Sequence, residues 1–392
     1  MNAPKPYHLI YLKKFCLVAL PFLAACSSPE DSRGGIPVSE LPSRKSSLTR
    51  DEILRMVNES FPSSQYMTNE FLPNPGDFEA ASASKPSTLR KVRIGMPWIA
   101  SDGFSPLYIG IAKGYFESVG LEIEMVPGGP GRDHLQTLAG GQVDFAITAD
   151  GMNLPIFAAS RTRGDVVAIA SFLKKNPVAY LSLDPDTPTD QTSPRTTKPE
   201  DFENTTIGVI RGRTHYVEFL VDHFGLDPRT VRVRWTGSTP EALVTGVVDH
   251  WAAWILDQPR LLEKSGFSNW KAFQFHDHGW NQYCDVVVVR RSSIAQEPDL
   301  LRRFLAALDQ AVQFYLEQPE EAAAITSRYA VDVSLSPEDV ARRFGTERDL
   351  VRGDDGLPVL HMDPTRWNEV TSLLIQYGLI SDTILNPAIG VN

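Results

Sequence analysis

The chain has 392 residues, 42% of them apolar, which is enough for two domains with a sizeable core and excludes disorder throughout. Its net charge is −10 with histidines neutral, so it lacks the basic footprint that a nucleic-acid partner needs. Cysteines occur only at Cys16, Cys26 and Cys284, too few for a disulfide scaffold.

Lys13 and Lys14 precede a short apolar run, Phe15 to Ala25, that is too brief to span a bilayer as a mature helix and ends in small residues before Cys26. Residues 1–25 therefore read as a secretory signal. The four residues Leu23, Ala24, Ala25 and Cys26 resemble a bacterial lipoprotein box. That resemblance implies that Cys26 becomes the first mature residue and carries lipid, the alternative being a plain signal peptide with a chance cysteine. Acyl chains contribute about 0.8 kcal/mol per buried methylene, so the expected protein is held at a membrane surface without a spanning helix. Loss of residues 1–25 removes three lysines and no acid, taking the charge from −10 to −13.

Residues 26–88 are rich in Ser, Pro, Gly and charge, and read as a flexible tether with one marginal helix near Leu48 to Phe61, capped by Ser47 or Thr49. From Leu89 the pattern changes. "KVRIGMPW" alternates like a strand, "SPLYIGIAKGYFESVG" has helical spacing and ends at Gly120, and "LEIEMVP" alternates again. "RDHLQTLAGGQ" then predicts a helix, "VDFAITA" a strand, "MNLPIFAASRTRG" a short helix and "VVAIASFL" a buried strand.

A break rich in Pro, Thr and Asp at Asp184 to Pro199 separates a second series. There "TTIGVIRG", "VRVRW" and "VDHWAAWI" predict strands, alternating with helices at "THYVEFLVDHFG", "TPEALVTGV" and "QPRLLEKSG". "CDVVVVRR" resumes as a β-branched strand. The run from Pro298 to Ala330 is helical with a break near Pro319, and Asp363 to Gly378 is a further amphipathic helix. Strands alternating with helices imply α/β lobes with mostly parallel sheets flanked by helices. No fixed repeat of 20 to 50 residues is evident.

"GYFESVGLEIE", "GGPG" and "LAGGQVDFAIT", followed in order by "IGVIRGRTHYVEFLVDHFGLD", "EALVTGVVDHWAAW" and "CDVVVVRRSSIAQEPDLLRRFLAALDQAVQFY", resemble the periplasmic substrate-binding proteins of ABC importers for nitrate, taurine, alkanesulfonates and thiamine pyrimidines. The resemblance covers about Lys91 to Ala330. It implies a two-lobe type II binding fold, with residues 89–182 and 285–392 in lobe one and 183–284 in lobe two. Crossings are expected near Ala179 to Asp184 and Tyr283 to Val289. The implied partners are a small-molecule ligand, a membrane permease and its ATPase, with the protein expected to be monomeric.

In open α/β sheets ligands sit beyond the carboxyl ends of strands, so the loops that follow strands carry the candidate site. Trp98 and Phe104 offer ring faces or pack the lobe, and Ser105 with Pro106 suits a helix start. Gly128, Gly129 and Gly131 either let the backbone approach an anion or simply make a turn, and no Lys-Ser/Thr pair follows them as a nucleotide loop requires. Thr148 and Asp150 lie just past a strand end, where Asp150 is a ligand acceptor or a helix cap. Arg211, Arg213 and Thr214 open a helix and suit a carboxylate, sulfonate or phosphate, or else are solvated. Alternation places Trp251 and Trp254 on opposite strand faces, so one of them is core. Asp257 contacts a ligand or caps the next helix, and Trp280 or Tyr283 reaches the cleft. Rings outnumber guanidinium groups in this set, which favours a flat heterocycle over nitrate.

Catalytic readings are weak. "GFSPL" lacks the second glycine of a nucleophile elbow, and neither H-E-x-x-H nor C-x-x-C occurs. In a strand, His276 and His278 would face one side, but no third ligand lies at recognisable spacing, so neither a metal nor any other cofactor is expected. The alternatives to transport are a lipoprotein of the same fold that senses a ligand and signals to a membrane partner, and a catalytic relative acting on its bound heterocycle.

Overall fold

The computed structural model describes residues 34–129, 132, 134–160, 165–184, 195–330 and 335–385. The expected signal segment, Cys26 and Gly131 lie outside the described residues. No helix among the described residues is long and apolar enough to cross a membrane.

Two sheets, each the centre of one lobe, organise the chain from Gly35 onward. The first has the strand order Leu121–Val126, Arg90–Gly95, Phe145–Asp150, Cys284–Arg290 and Val166–Leu173. The second has the order Ile36–Pro37, Arg232–Trp235, Thr206–Val209, His250–Trp254, Val178–Leu183, Trp270–Gln274 and Arg195–Thr196. Both are mixed rather than mostly parallel. Cys284–Arg290 runs antiparallel to both its neighbours, and so does Val178–Leu183. These are the strands that enter each lobe from across the hinge. They arrive without the crossover helix that a parallel strand needs.

The chain leaves lobe one between Leu173 and Val178 and returns between Gln274 and Cys284. The first crossing thus precedes the expected stretch Ala179 to Asp184, and Val178–Leu183 belongs to the lobe-two sheet. "VVAIASFL" and "VAYLSL" are equally apolar, and only the polar "KKN" with Pro177 between them marks the boundary. "FHDH" is a 3-10 turn, Phe275–His278, not a strand, which removes the one-sided arrangement of His276 and His278.

All eight residues of Val166–Leu173 are buried, as a strand covered on both faces requires. The long helix Pro298–Glu317 sets Phe304 against Phe145 with ring centres 4.1 Å apart and against Phe116 at 5.4 Å. Gly110 is required there, because a Cβ would lie 2.4 Å from the Phe116 ring.

Residues 35–88 are built into the fold, which corrects the expectation of a flexible tether. Ile36–Pro37 adds an edge strand to Arg232–Trp235 of lobe two. Lys45 then pairs with Asp222 at 2.7 Å. Thr49 closes a reciprocal cap with Glu52 and starts the helix Arg50–Ser60, which packs on Pro364–Gln376 through the fully buried Ile53 and Val57. The Tyr66 hydroxyl meets Thr371 at 2.7 Å, and Met67 bridges to Ala168 at the edge of the lobe-one sheet. Apolar residues are sparse here, yet Val38, Ile53, Val57, Phe61, Tyr66, Met67 and Phe71 are all buried, which composition does not reveal.

Candidate functional site

Strand Phe145–Asp150 ends between the lobes and delivers Asp150 there, 3% exposed. Its carboxylate accepts hydrogen bonds from the Arg213 guanidinium, from Gln282 Nε2 at 3.2 Å and from the Met152 N–H at 3.3 Å. Arg213 comes from lobe two. The turn after Thr206–Val209 is made by Gly212, whose φ of +84° suits glycine, and it points Arg213 across the junction. Gln282, on the returning crossing, also donates to the Tyr216 hydroxyl at 2.7 Å and accepts from Asn176 Nδ2 of the outgoing crossing at 2.7 Å. The two crossings and the inter-lobe ion pair therefore form one network, buried except for part of the Arg213 side chain. Burial alone would lower the Arg213 pKa, but Asp150 and then Tyr216 outweigh it and raise it. Burial, and next Arg213, push His215 down to about 3.

A second charged group lies between the lobes. In lobe one the turn Asp102–Phe104 carries Asp102, 2% exposed, which accepts from Arg260 Nη1 of lobe two at 3.0 Å. Arg343, on the lobe-one helix Pro337–Arg352, donates to Asp257 of lobe two and to Glu347 at 3.0 Å, and lies 4.0 Å from Asp102. Glu347 also accepts from the Tyr315 hydroxyl at 2.8 Å. Asp285 completes the group at the start of the returning strand, 8% exposed. Burial first, then the nearby Glu347, raise its carboxyl group well above the usual range.

A cavity of about 730 Å3 opens beside this group, between lobe-two residues such as Arg260, Trp270 and His276 and the helix bearing Arg342, Arg343 and Thr346. Arg260 and Arg343 are among its lining residues, with the carboxylates of Asp102 and Asp257 bound to them.

The structure brings some of the expected site residues together and disperses others. Asp150 and Arg213 meet directly, and Asp257 lies at the junction in the grip of Arg343. Trp98 stands at the surface, 48% exposed. Phe104 is a core residue, 5% exposed. Ser105 donates to the Asp102 carbonyl at 2.5 Å and Thr148 to the Asp150 carbonyl at 3.0 Å, so both hydroxyls are used within their own loops. Thr214 bonds Glu218, and Arg211 lies over the Trp235 ring at 5.4 Å on the exposed face. Trp251 and Trp280 are fully buried, which corrects the expectation that they offer ring faces: Trp251 Nε1 donates to the Gly237 carbonyl at 3.2 Å, and Trp280 packs among Tyr216, Phe219 and Tyr377. Tyr283 is buried too and donates no ring to the cleft, its hydroxyl accepting from the Asp363 N–H at 2.7 Å. None of these residues lines the cavity.

Arg260, Arg343, Glu347, Asp102 and Asp285 escaped the sequence reading. Arginines and acids on amphipathic helices look like solvated faces. The one visible signal was Asp285, a lone acid ahead of four consecutive valines.

Comparison with known proteins agrees with this architecture. A curated relative, the formylaminopyrimidine-binding protein of Halalkalibacterium halodurans, is 23% identical over 304 residues, covering 75% of this chain and 87% of that one. The 4-amino-5-hydroxymethyl-2-methylpyrimidine phosphate synthase of Candida albicans is 24% identical over 250 residues, covering 60% and 70%. The periplasmic aliphatic sulphonate binding protein of Escherichia coli superposes with a TM-score of 0.54 at 17% identity, covering 76% of this chain and 88% of that one, and shares the two-lobe binding-protein fold. The family model described as NMT1/THI5 like matches residues 102–322, more than half of the chain. With its two hinged α/β lobes and this match, the chain belongs to the NMT1/THI5-like family.

Proposed function

We propose that the chain is the substrate-binding component of an ABC importer, closing on a small molecule between its lobes and presenting the closed form to a membrane permease and its ATPase. The observation that carries this reading is the lobe junction, where charged side chains from both lobes converge beside a cavity of about 730 Å3. That volume suits a small metabolite. The Halalkalibacterium relative, by its name, supports a pyrimidine-type heterocycle within the expected thiamine-pyrimidine-like class, and a sulfonate-like anion is the other class within this reading. Lipid on Cys26 would hold a monomeric body at a membrane surface outside the cytoplasm.

Binding without turnover is the reading, and the synthase named among the relatives makes turnover the outcome to measure alongside it. Titration calorimetry of the purified protein with aminopyrimidines and alkanesulfonates, followed by mass spectrometry of the recovered compound, tests both points. A micromolar or tighter Kd with the compound unaltered is expected. A compound returned chemically changed replaces this function with catalysis.

A further inference from the structure

We propose that the cavity at the lobe junction takes an uncharged, flat heterocycle, with Trp270 stacking on its face and Gln274 bonding its edge; this rests on reading the junction as the ligand site and decides between the two ligand classes left open there.

Strand Trp270–Gln274 of lobe two supplies one side of the cavity. Alternation puts Trp270, Ala272 and Gln274 on one face of the strand; Trp270 and Gln274 line the cavity, and the small Ala272 is buried between them. Trp270 is half-buried, and among the described residues it is the one Trp, Tyr or Phe side chain in the lining. The Gln274 carboxamide forms no hydrogen bond among the described residues, so its donor and its acceptor are both available. A carboxamide matches the edge of a heterocycle that sets an N–H beside a ring nitrogen or a carbonyl.

Helix Pro337–Arg352 of lobe one supplies the other side, through Arg342, Gly345, Thr346 and Asp349 at helical spacing. Glycine is a poor helix former, and nothing in the protein's own packing calls for one here: a Cβ on Gly345 would meet no atom within 4 Å. The space beside Gly345 belongs to the cavity. A bare helix surface there leaves room for a plate lying on the Trp270 ring.

The cations of the lining are already held. Lys175 pairs with Asp354 at 3.2 Å, Arg260 with Asp102 at 3.0 Å, Arg342 with Glu263 at 2.9 Å, His276 with Asp277 at 3.2 Å, and Arg343 with Asp257 and Glu347. An incoming anion would meet a carboxylate beside each of them, whereas an uncharged ring leaves every pair intact. The lining groups still free to bond a ligand are uncharged, Gln274 foremost.

The test uses the full chain with adenine, 4-amino-5-hydroxymethyl-2-methylpyrimidine and ethanesulfonate, followed by calorimetry and tryptophan fluorescence. Wild type is expected to bind at least one of the rings more tightly than ethanesulfonate and to lose tryptophan emission as it does so. Trp270→Ala should weaken that binding about ten- to a hundredfold, and Trp270→Phe should restore most of it. Gly345→Leu should melt no lower than wild type yet lose ring binding by more than about tenfold, because its side chain fills the cavity and not the core; it carries the test if Trp270→Ala melts early. A ring bound equally well by Trp270→Ala and Gly345→Leu overturns this inference while leaving a binding protein. Tighter binding of ethanesulfonate than of either ring overturns it too, with the junction kept as the ligand site. No binding of any probe counts against both readings.

Discussion

Arg213 of lobe two holds Asp150 of lobe one, and Gln282 of the returning crossing donates to the same carboxylate at 3.2 Å. The contact thus ties the lobe junction to the returning crossing rather than joining two loop tips. Arg213→Met keeps the stem and leaves a buried carboxylate short of its cation. The expected loss is about 2 kcal/mol in chemical denaturation, less than for a fully buried pair because part of Arg213 meets solvent. Small-angle scattering should also show a larger mean radius. Unchanged stability together with unchanged scattering would deny the contact a closing role.

The packing of residues 35–88 predicts that Ile53→Ala costs about 2 to 4 kcal/mol, since Ile53 is fully buried against the helix Pro364–Gln376. A thermal melt of the variant checks it. A tether would show no shift.

His215 and His250 are held neutral, burial first pushing them down to about 3 and about 4. The unfolded chain protonates them near the ordinary value of about 6.5, so their contribution is intact above that pH and is lost as pH falls towards 4. The slope is up to about 1.4 kcal/mol per pH unit for each histidine. The raised carboxyl groups of Asp285 and Glu347 act in the opposite sense, so the informative quantity is the difference between wild type and His215→Phe. That difference should narrow between pH 7 and pH 5; a constant one would contradict the assignment.

Trp98 is half exposed at the end of a lobe-one loop. Trp98→Ala should leave stability within about 0.5 kcal/mol and, where the ring stacks on a ligand, weaken binding by about 1 to 3 kcal/mol. Equal affinity in a titration would make Trp98 a surface residue without a ligand role.

Much of the fold is legible in the sequence because local patterns carry it. "CDVVVVRR" and "VVAIASFL" are β-branched and apolar, and the helix from Pro298 is amphipathic over its whole length, so these elements follow from periodicity. Strand direction does not, because Val178–Leu183 reads the same whichever way it enters a sheet. The N-terminal helix was visible but its docking was not, since Ile53 and Val57 are its only buried positions. At the junction, Asp150 and Arg213 could be found because they follow strand ends. Arg343 and Glu347 could not: they sit mid-helix, outside the stretch that resembles the family, and their burial depends on a lobe that is distant in sequence.

The most direct test is a crystal structure of the protein with whichever compound binds most tightly in titration. That compound is expected between the lobes, in the cavity lined by Arg260 and Arg343. A compound bound on the outer surface of one lobe, with the junction unchanged, would contradict it.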